Sequence, residues 1–285
     1  MTLESNIVNE IKFLQFNDEK AMNAISADDW IKLQEEIDSF ENSDQKYLVI
    51  KHINGNYSAG AQLGETVNAL MDDVSKAALK MWNCKKPIIS LVDGIAAGAG
   101  ANMMLLSDFI IATPQTRFIE VFVRRGLVVD FGGSWVLPRI IGIQKAKELM
   151  MTSNEINGEE LDRLGVLYKL TNAENMDTEF KNLIENLNKQ SFISICMVKQ
   201  QIKDGLDLTF EKSIGNETIN QNSRFQHSDV AEGMSAFFEK RQPNYKNTLD
   251  EENNCINIHL FVYLCNNLYL TNWRFTKWKL ENHSF

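Results

Sequence analysis

The stretch GLVVDFGGSW contains an aspartate whose side chain could take part in acid–base chemistry. Asp130 lies just before the glycine pair Gly132 and Gly133. A carboxyl group that is partly removed from water has a raised pKa, so it can take up and return a proton near neutral pH. An aspartate beside glycines can equally serve as a turn or capping residue. From the residues alone, both roles of Asp130 stay open.

Three loops rich in small residues could bring backbone amides close to a ligand. They cover residues 58–63, 94–102 and 128–134. Amides from two separate loops could hold a carbonyl oxygen as it gains negative charge. Tight packing of a helix on a sheet would use the same small residues, and it remains the alternative. The glycine order G-x-x-x-G-x-G from residue 94 does not match the dinucleotide fingerprint, and the sequence has no Gly-Lys-Ser/Thr phosphate loop.

The elements that must position these loops alternate between strands and helices. Residues 8–16 partly alternate in polarity and predict a strand, and YLVIKHI, PIISLVDG and FIIAT predict further strands. Trp30, Leu33 and Ile37 recur at helical spacing, and a helix is expected from about Ala101. Because strands alternate with helices, we expect an α/β fold with parallel strands. Residues 174–240 are predicted to be mostly helical.

Charge and composition exclude several classes of function. The net charge of −9 argues against a general nucleic-acid binder. Neither a basic leader followed by an apolar run nor a stretch of about 18 apolar residues is present, so we expect a cytoplasmic protein without membrane contact. The four cysteines show no metal-binding spacing, and they suit a reducing compartment. Residues 247–285 are rich in aromatic residues. They are expected to form either an appended helix or strand that covers a surface, or a poorly ordered extension that exposes an apolar patch.

Six motifs follow one another in order over roughly residues 5–246. They are EKAMNAIS, YSAGAQL, DGIAAGAGANMMLLSD, RFIEVFVRRGLVVDFGGSWVLPRIIG, ELMMTSNEINGEELDRLG and DVAEGMSAFFEKRQPNY. Together they resemble the crotonase, or enoyl-CoA hydratase/isomerase, superfamily. The resemblance implies a spiral of ββα units with the active site in residues 1–185. It also implies a C-terminal helical trimerisation region in residues 186–246, and it leaves 247–285 as an atypical tail.

The resemblance also implies which backbone groups would bind the substrate. Members of this superfamily act on acyl-CoA thioesters and hold the enolate with two backbone N–H groups, which correspond here to Ala61 and Ala99, with Gly98 beside them. The acyl-CoA is a substrate, so no separate cofactor and no metal are expected.

The rest of the CoA molecule would contact residues from both ends of the chain. The resemblance places the adenine end near Ala24 and Ala59, and it assigns a CoA contact to Phe237 and Lys240, commonly from a neighbouring subunit. A homotrimer or a hexamer made of two trimers is therefore expected.

Two glutamates that hydratases of this superfamily use are replaced in this sequence. Their positions are occupied by Asn102 and Phe122, and Glu120 lies two positions away, where we expect an exposed carboxylate. The combination of Asp130, a GAGAN motif and W-x-L-P-R is similar to the isomerases of phenylacetyl-CoA breakdown and to Δ3,Δ2-enoyl-CoA isomerases.

These similarities predict an acyl-CoA double-bond isomerase with Asp130 as the base. One alternative is an enoyl-CoA hydratase, or a dehydratase or decarboxylase of carrier-protein thioesters. The other alternative is a non-catalytic acyl-CoA-binding or interaction protein whose aromatic tail docks a partner.

Overall fold

The computed structural model describes residues 2–53, 55–62, 67–225 and 227–246. The chain divides into two compact units, Met1–Asn188 and Lys189–Phe285. The predicted tail, 247–285, and with it Cys255 and Cys265, lies outside the described residues. No helix in the described part of the chain is long and apolar enough to cross a membrane.

The first unit contains two sheets. A six-stranded sheet has the order β1-β2-β3-β4-β6-β9, and a three-stranded sheet has the order β5-β7-β8. From β2 to β9 every neighbouring pair in the larger sheet is parallel. The strands are β1 Leu3–Val8, β2 Ile11–Phe16, β3 Tyr47–His52, β4 Ile88–Val92, β5 Ile95–Ala97, β6 Phe109–Ala112, β7 Arg117–Ile119, β8 Ile156–Asn157 and β9 Lys169–Leu170.

Helices connect these strands and make up most of the described part of the second unit. In the first unit they are α1 Ala27–Glu41, α2 Val67–Asn83, α3 Ala99–Leu105, α4 Gly133–Ile141, α5 Ile143–Thr152, α6 Gly158–Arg163 and α7 Met176–Asn188, with 3-10 helices at Val121–Arg125 and Ala173–Asn175. The described part of the second unit contains α8 Phe192–Gly205, α9 Phe210–Arg224 and α10 Ser228–Glu239. The predicted α/β class is confirmed, and the C-terminal helices are present.

Local sequence explains the main elements. Ser26 caps α1 in a reciprocal capping box with Asp29. The predicted apolar stripe of Trp30, Leu33 and Ile37 is completely buried. Strand β4 is buried along its whole length, as expected for a strand inside a parallel sheet that is covered on both faces.

Two sequence expectations are wrong in detail. Residues 8–16 do not form one strand, because β1 ends at Val8 and β2 begins at Ile11 in an antiparallel hairpin. Asn9 makes the turn with a positive φ of 55°, a conformation that Asn adopts more readily than most residues. Helix α3 begins at Ala99 rather than at Ala101, so all of the GAGAN motif after Gly98 is helical.

Candidate active site

The first small-residue loop presents the amide of Ala61. In a parallel bridge, the Ile25 amide donates to the Gly60 carbonyl at 2.8 Å and the Gln62 amide donates to the Ile25 carbonyl at 2.8 Å. Because successive amides of an extended chain point to opposite sides, the Ala61 amide faces away from Ile25. It is therefore turned toward the other side of this segment, where a ligand could accept from it.

The second loop brings the amide of Ala99 to the same place. Ala99 is the first residue of α3, so its N–H has no acceptor within the helix. A Cβ added to Gly60 would lie 3.3 Å from the Ala99 nitrogen and 2.7 Å from the Ala97 oxygen. The backbone that leads into Ala61 thus passes directly against Ala99. Gly98 precedes the helix with a φ of 54°.

The residues predicted for the adenine end of CoA lie on adjoining segments. The Ala59 amide donates to the Met22 carbonyl at 2.9 Å, and the Ser58 hydroxyl donates to the Asn23 carbonyl at 2.8 Å. The loop that contains Ala24 is therefore tied to the loop that contains Ala59. Both alanines are half-buried, so their surfaces remain partly accessible.

Phe237 and Lys240 belong to the second unit. They lie at the C-terminal end of α10, and both are exposed there, with 75% of Phe237 accessible. Lys240 ends the helix in the left-handed conformation, with a φ of 53°.

Asp130 lies in the loop before α4, and its side chain does not act as the helix cap. The N-cap of α4 is Gly132, which has no side-chain capping bond, and Asp130 accepts the Gly133 amide with its backbone carbonyl at 3.0 Å. Its carboxyl atom Oδ1 is buried without a hydrogen-bond partner among the described residues. Burial raises the pKa of Asp130 to about 6.

Asn102 connects α3 to the Asp130 loop. Its side chain is completely buried, and its amide donates to the Asp130 backbone carbonyl at 3.0 Å. A Cβ added to Gly133 would lie 2.2 Å from Asn102 Oδ1, so this contact requires glycine at the start of α4. Asn102 has no group that can transfer a proton, and its contacts assign it to holding the Asp130 backbone.

Phe122 stands at the second position where hydratases carry glutamate. It is buried, and its ring lies 3.7 Å from the point where a Cβ on Gly98 would be. The side chain therefore contributes an apolar surface behind the loop at Gly98, and it offers no proton.

The expectation that Glu120 is an exposed carboxylate is wrong. Its side chain is completely buried, because the chain turns from β7 into the 3-10 helix Val121–Arg125 at this residue. Loss of hydration raises the pKa of Glu120 to about 8; the neighbouring Asn102 side chain opposes this rise, and the charge of Asp130 adds to it. The sequence does contain a sign of this burial, because Glu120 is flanked by apolar residues on both sides in the run FIEVF.

Comparison with known proteins decides the family. The sequence pattern of the enoyl-CoA hydratase/isomerase family matches residues 6–248. The chain belongs to this family. It is therefore a crotonase-superfamily enzyme, and the predicted resemblance is confirmed.

Individual relatives of this crotonase carry both isomerase and hydratase names. It is 29% identical over 252 residues to a trans-2-decenoyl-[acyl-carrier-protein] isomerase of Streptococcus mutans, which covers 84% of this chain and 96% of that protein. It is 30% identical over 183 residues to the 1,2-epoxyphenylacetyl-CoA isomerase of Escherichia coli. That alignment covers 64% of this chain and 69% of the relative. It is 28% identical over 245 residues to a crotonyl-CoA hydratase of Syntrophomonas wolfei. That alignment covers 83% of this chain and 94% of the relative.

Solved structures show the same fold. The crystal structure of an enoyl-CoA hydratase from Bacillus anthracis superposes on this crotonase with a TM-score of 0.82 at 22% identity, and it covers 87% of this chain and all of that one. The fold is therefore the crotonase fold.

Proposed function

We propose that this crotonase is an acyl-CoA double-bond isomerase in which Asp130 is the catalytic base. The observation that carries the proposal is the state of the Asp130 carboxyl. It is half-buried with one oxygen unpaired among the described residues, its pKa is raised to about 6, and its backbone is held by Asn102 from the helix that begins at Ala99. A base of this kind is ionised at neutral pH and is still strong enough to take a proton from carbon next to a thioester.

In the proposed reaction Asp130 removes a proton from the α carbon of a 3-enoyl thioester. The electron pair of the broken C–H bond moves toward the thioester carbonyl, whose oxygen becomes negative as the enolate forms. The amides of Ala61 and Ala99 stabilise this oxygen. The protonated Asp130 then returns the proton to the γ carbon, so the double bond moves from the β,γ to the α,β position and the carboxylate is regenerated.

Efficient hydration of a 2-enoyl thioester has less support. In that reaction the family's two glutamates handle the protons of water, and here those positions hold Asn102 and Phe122. Neither an amide nor a phenyl ring can replace a carboxylate as a proton carrier. We therefore expect isomerisation to be faster than hydration.

The thioester carrier is proposed to be coenzyme A. The Streptococcus mutans relative is named for an acyl-carrier-protein substrate. Both carriers present an acyl thioester, so the chemistry at Asp130 would be the same. The proposed reaction needs no cofactor besides the thioester, and we place the protein in the cytoplasm, where acyl-CoA is available.

The test is a comparison of three substrates with the purified full-length protein. We expect turnover of a 3-enoyl-CoA that exceeds the hydration of crotonyl-CoA by at least about tenfold. Loading the same 3-enoyl chain on acyl carrier protein should give a lower kcat/KM than the CoA ester. Faster hydration of crotonyl-CoA would overturn the isomerase assignment, and tight binding of acyl-CoA without any turnover would indicate a binding protein.

We also propose that the protein forms a homotrimer or a hexamer. The described helices α8 to α10 carry large apolar side chains with high exposure, which favours burial against further subunits. These include Ile202 at 65%, Phe210 at 76% and Phe238 at 74% exposure. Light scattering coupled to gel filtration should give three or six times the 32.6 kDa chain mass. A monomer at micromolar concentration would contradict this proposal.

A further inference from the structure

Glu120 is a second carboxyl group at the candidate site, and the reaction proposed above gives it no task. Its side chain is completely buried, and neither of its carboxyl oxygens has a hydrogen-bond partner among the described residues. Its backbone is fixed, because the Ser153 hydroxyl donates to the Glu120 carbonyl at 2.7 Å. The chain therefore holds a carboxyl group inside the protein, and among the described side chains only Asn102 acts to favour its charged form.

The groups that surround Glu120 do not supply a compensating positive charge. Among the described groups, the Asn102 side chain on α3 lowers the pKa of Glu120 and the charge of Asp130, in the loop before α4, raises it, whereas no cation acts on it. Arg124, on the adjoining 3-10 helix, donates instead to the backbone carbonyl of Ser153. Asn102 Oδ1 and Asp130 Oδ1 are likewise buried without partners among the described residues. The cluster is thus rich in oxygen atoms and poor in hydrogen-bond donors.

The cluster of Glu120, Asn102 and Asp130 can hold one negative charge, but a second one would be unfavourable in free energy. Two ionised carboxylates that share a dry site repel each other, and each also loses its hydration. A proton bound to one of them removes the repulsion and converts one acceptor into a donor. Asp130 is half-buried and Glu120 is fully buried, so the charge is more stable on Asp130 and the proton on Glu120.

We propose that Glu120 is a positioning residue that acts as a neutral acid: by keeping its proton it confines the negative charge of the pair to Asp130 and leaves the Asn102 amide bound to the Asp130 backbone. This inference rests on the isomerase function proposed above. Ionisation of Glu120 would add a second negative charge close to the place where the enolate must form. It would also attract the Asn102 amide away from the Asp130 carbonyl. Both effects slow the reaction at alkaline pH.

The pH dependence of kcat separates this role from simple packing. For the native protein with a 3-enoyl-CoA, we expect kcat to fall above about pH 8. Glu120→Gln, which is neutral at every pH, should keep kcat within about threefold of the native value at pH 7 and should lose the alkaline fall. Glu159→Gln, at an exposed position of α6, is the matched control and should retain the native profile. A glutamate that only fills space would change kcat equally at all pH values.

A second measurement does not depend on turnover. Infrared spectroscopy of the free protein should show the carbonyl stretch of a protonated carboxyl group at pH 7, and the difference spectrum against Glu120→Gln should assign it to Glu120. In Asp130→Asn the band should disappear at a lower pH than in the native protein, because a neighbouring negative charge has been removed. This result tests Glu120 even if no thioester is isomerised, which would overturn only the proposed function.

Three results would overturn the role of Glu120. One is a native kcat that stays constant up to about pH 9.5. Another is an alkaline fall of the same size in Glu120→Gln. The third is the absence, at pH 7, of a protonated carboxyl band that depends on Glu120.

Discussion

At the scale of single residues, the proposed chemistry depends on Asp130, whose carboxyl group lacks part of its possible hydrogen bonds. The Asp130 carboxyl has one buried oxygen without a partner among the described residues, while the backbone of the same residue is bonded to Asn102 and Gly133. Replacing this aspartate by asparagine keeps the shape of the side chain and removes the base. We expect Asp130→Asn to lower kcat for a 3-enoyl-CoA by at least about 100-fold, within the range for loss of a general base.

Binding of acyl-CoA should be unaffected by this substitution. The dissociation constant for acyl-CoA should stay within about threefold of the native value, and so should that of the control Asp44→Asn, which lies at an exposed position. Retention of full isomerase activity in Asp130→Asn would show that another group removes the proton.

The pKa of Asp130 also determines how kcat/KM depends on pH on the acid side. Burial raises the pKa of Asp130 to about 6, and only its ionised form can accept a proton. We therefore expect kcat/KM to fall about tenfold for each pH unit below 6, measured at constant ionic strength. An ordinary aspartate would keep its activity down to about pH 4, and a profile of that kind would show that Asp130 is hydrated in the working enzyme.

At the scale of elements, the geometry of the site depends on the contact between α3 and the start of α4. Gly133→Ala would place a methyl group 2.2 Å from Asn102 Oδ1. The Asn102 side chain would have to move, and its bond to the Asp130 carbonyl would be lost. We expect a decrease of at least about tenfold in kcat, together with a destabilisation of about 1–3 kcal/mol from overpacking.

Gly215→Ala provides the matched control for that variant. Gly215 lies within α9, and nothing would lie within 4 Å of an added Cβ. Because alanine has a higher helix propensity than glycine, the melting temperature of this variant should be unchanged or higher. If Gly133→Ala behaves like Gly215→Ala in both activity and melting temperature, then the Asn102 contact is unimportant for catalysis.

The elements also show why part of the site was predictable and part was not. The strands β3 and β4 are predictable because parallel strands inside a sheet consist of nearly continuous apolar residues. The break at Asn9 is not predictable in this way, because the alternation of polarity on both sides of it suits a single strand. An exposed Glu120 is the expectation because a glutamate is seldom buried, and the sequence does not show that a 3-10 helix begins directly after it. That change of backbone buries the residue.

At the scale of the whole molecule, a neutral glutamate inside the protein makes folding depend on pH. The pKa of Glu120 is about 8 in the folded protein, against an ordinary value of 4.5. Between these two values the unfolded chain releases the proton while the folded protein keeps it. The folded state then binds more protons, so the free energy of unfolding decreases as the pH rises. The contribution is fully lost above about pH 8, and it amounts to a few kcal/mol, on the order of 1.4 kcal/mol for each pH unit.

The measurement that isolates this contribution is a difference between two proteins. Urea unfolding of the native protein and of Glu120→Gln should be compared at about pH 5, 6.5 and 8. All other carboxyl groups contribute equally to both, so their effect cancels in the difference. Relative to Glu120→Gln, the native protein should lose stability steadily from the lowest to the highest pH. Parallel curves would mean that Glu120 is ionised in the folded protein, and the charge of the site would then be shared between two carboxylates rather than confined to Asp130.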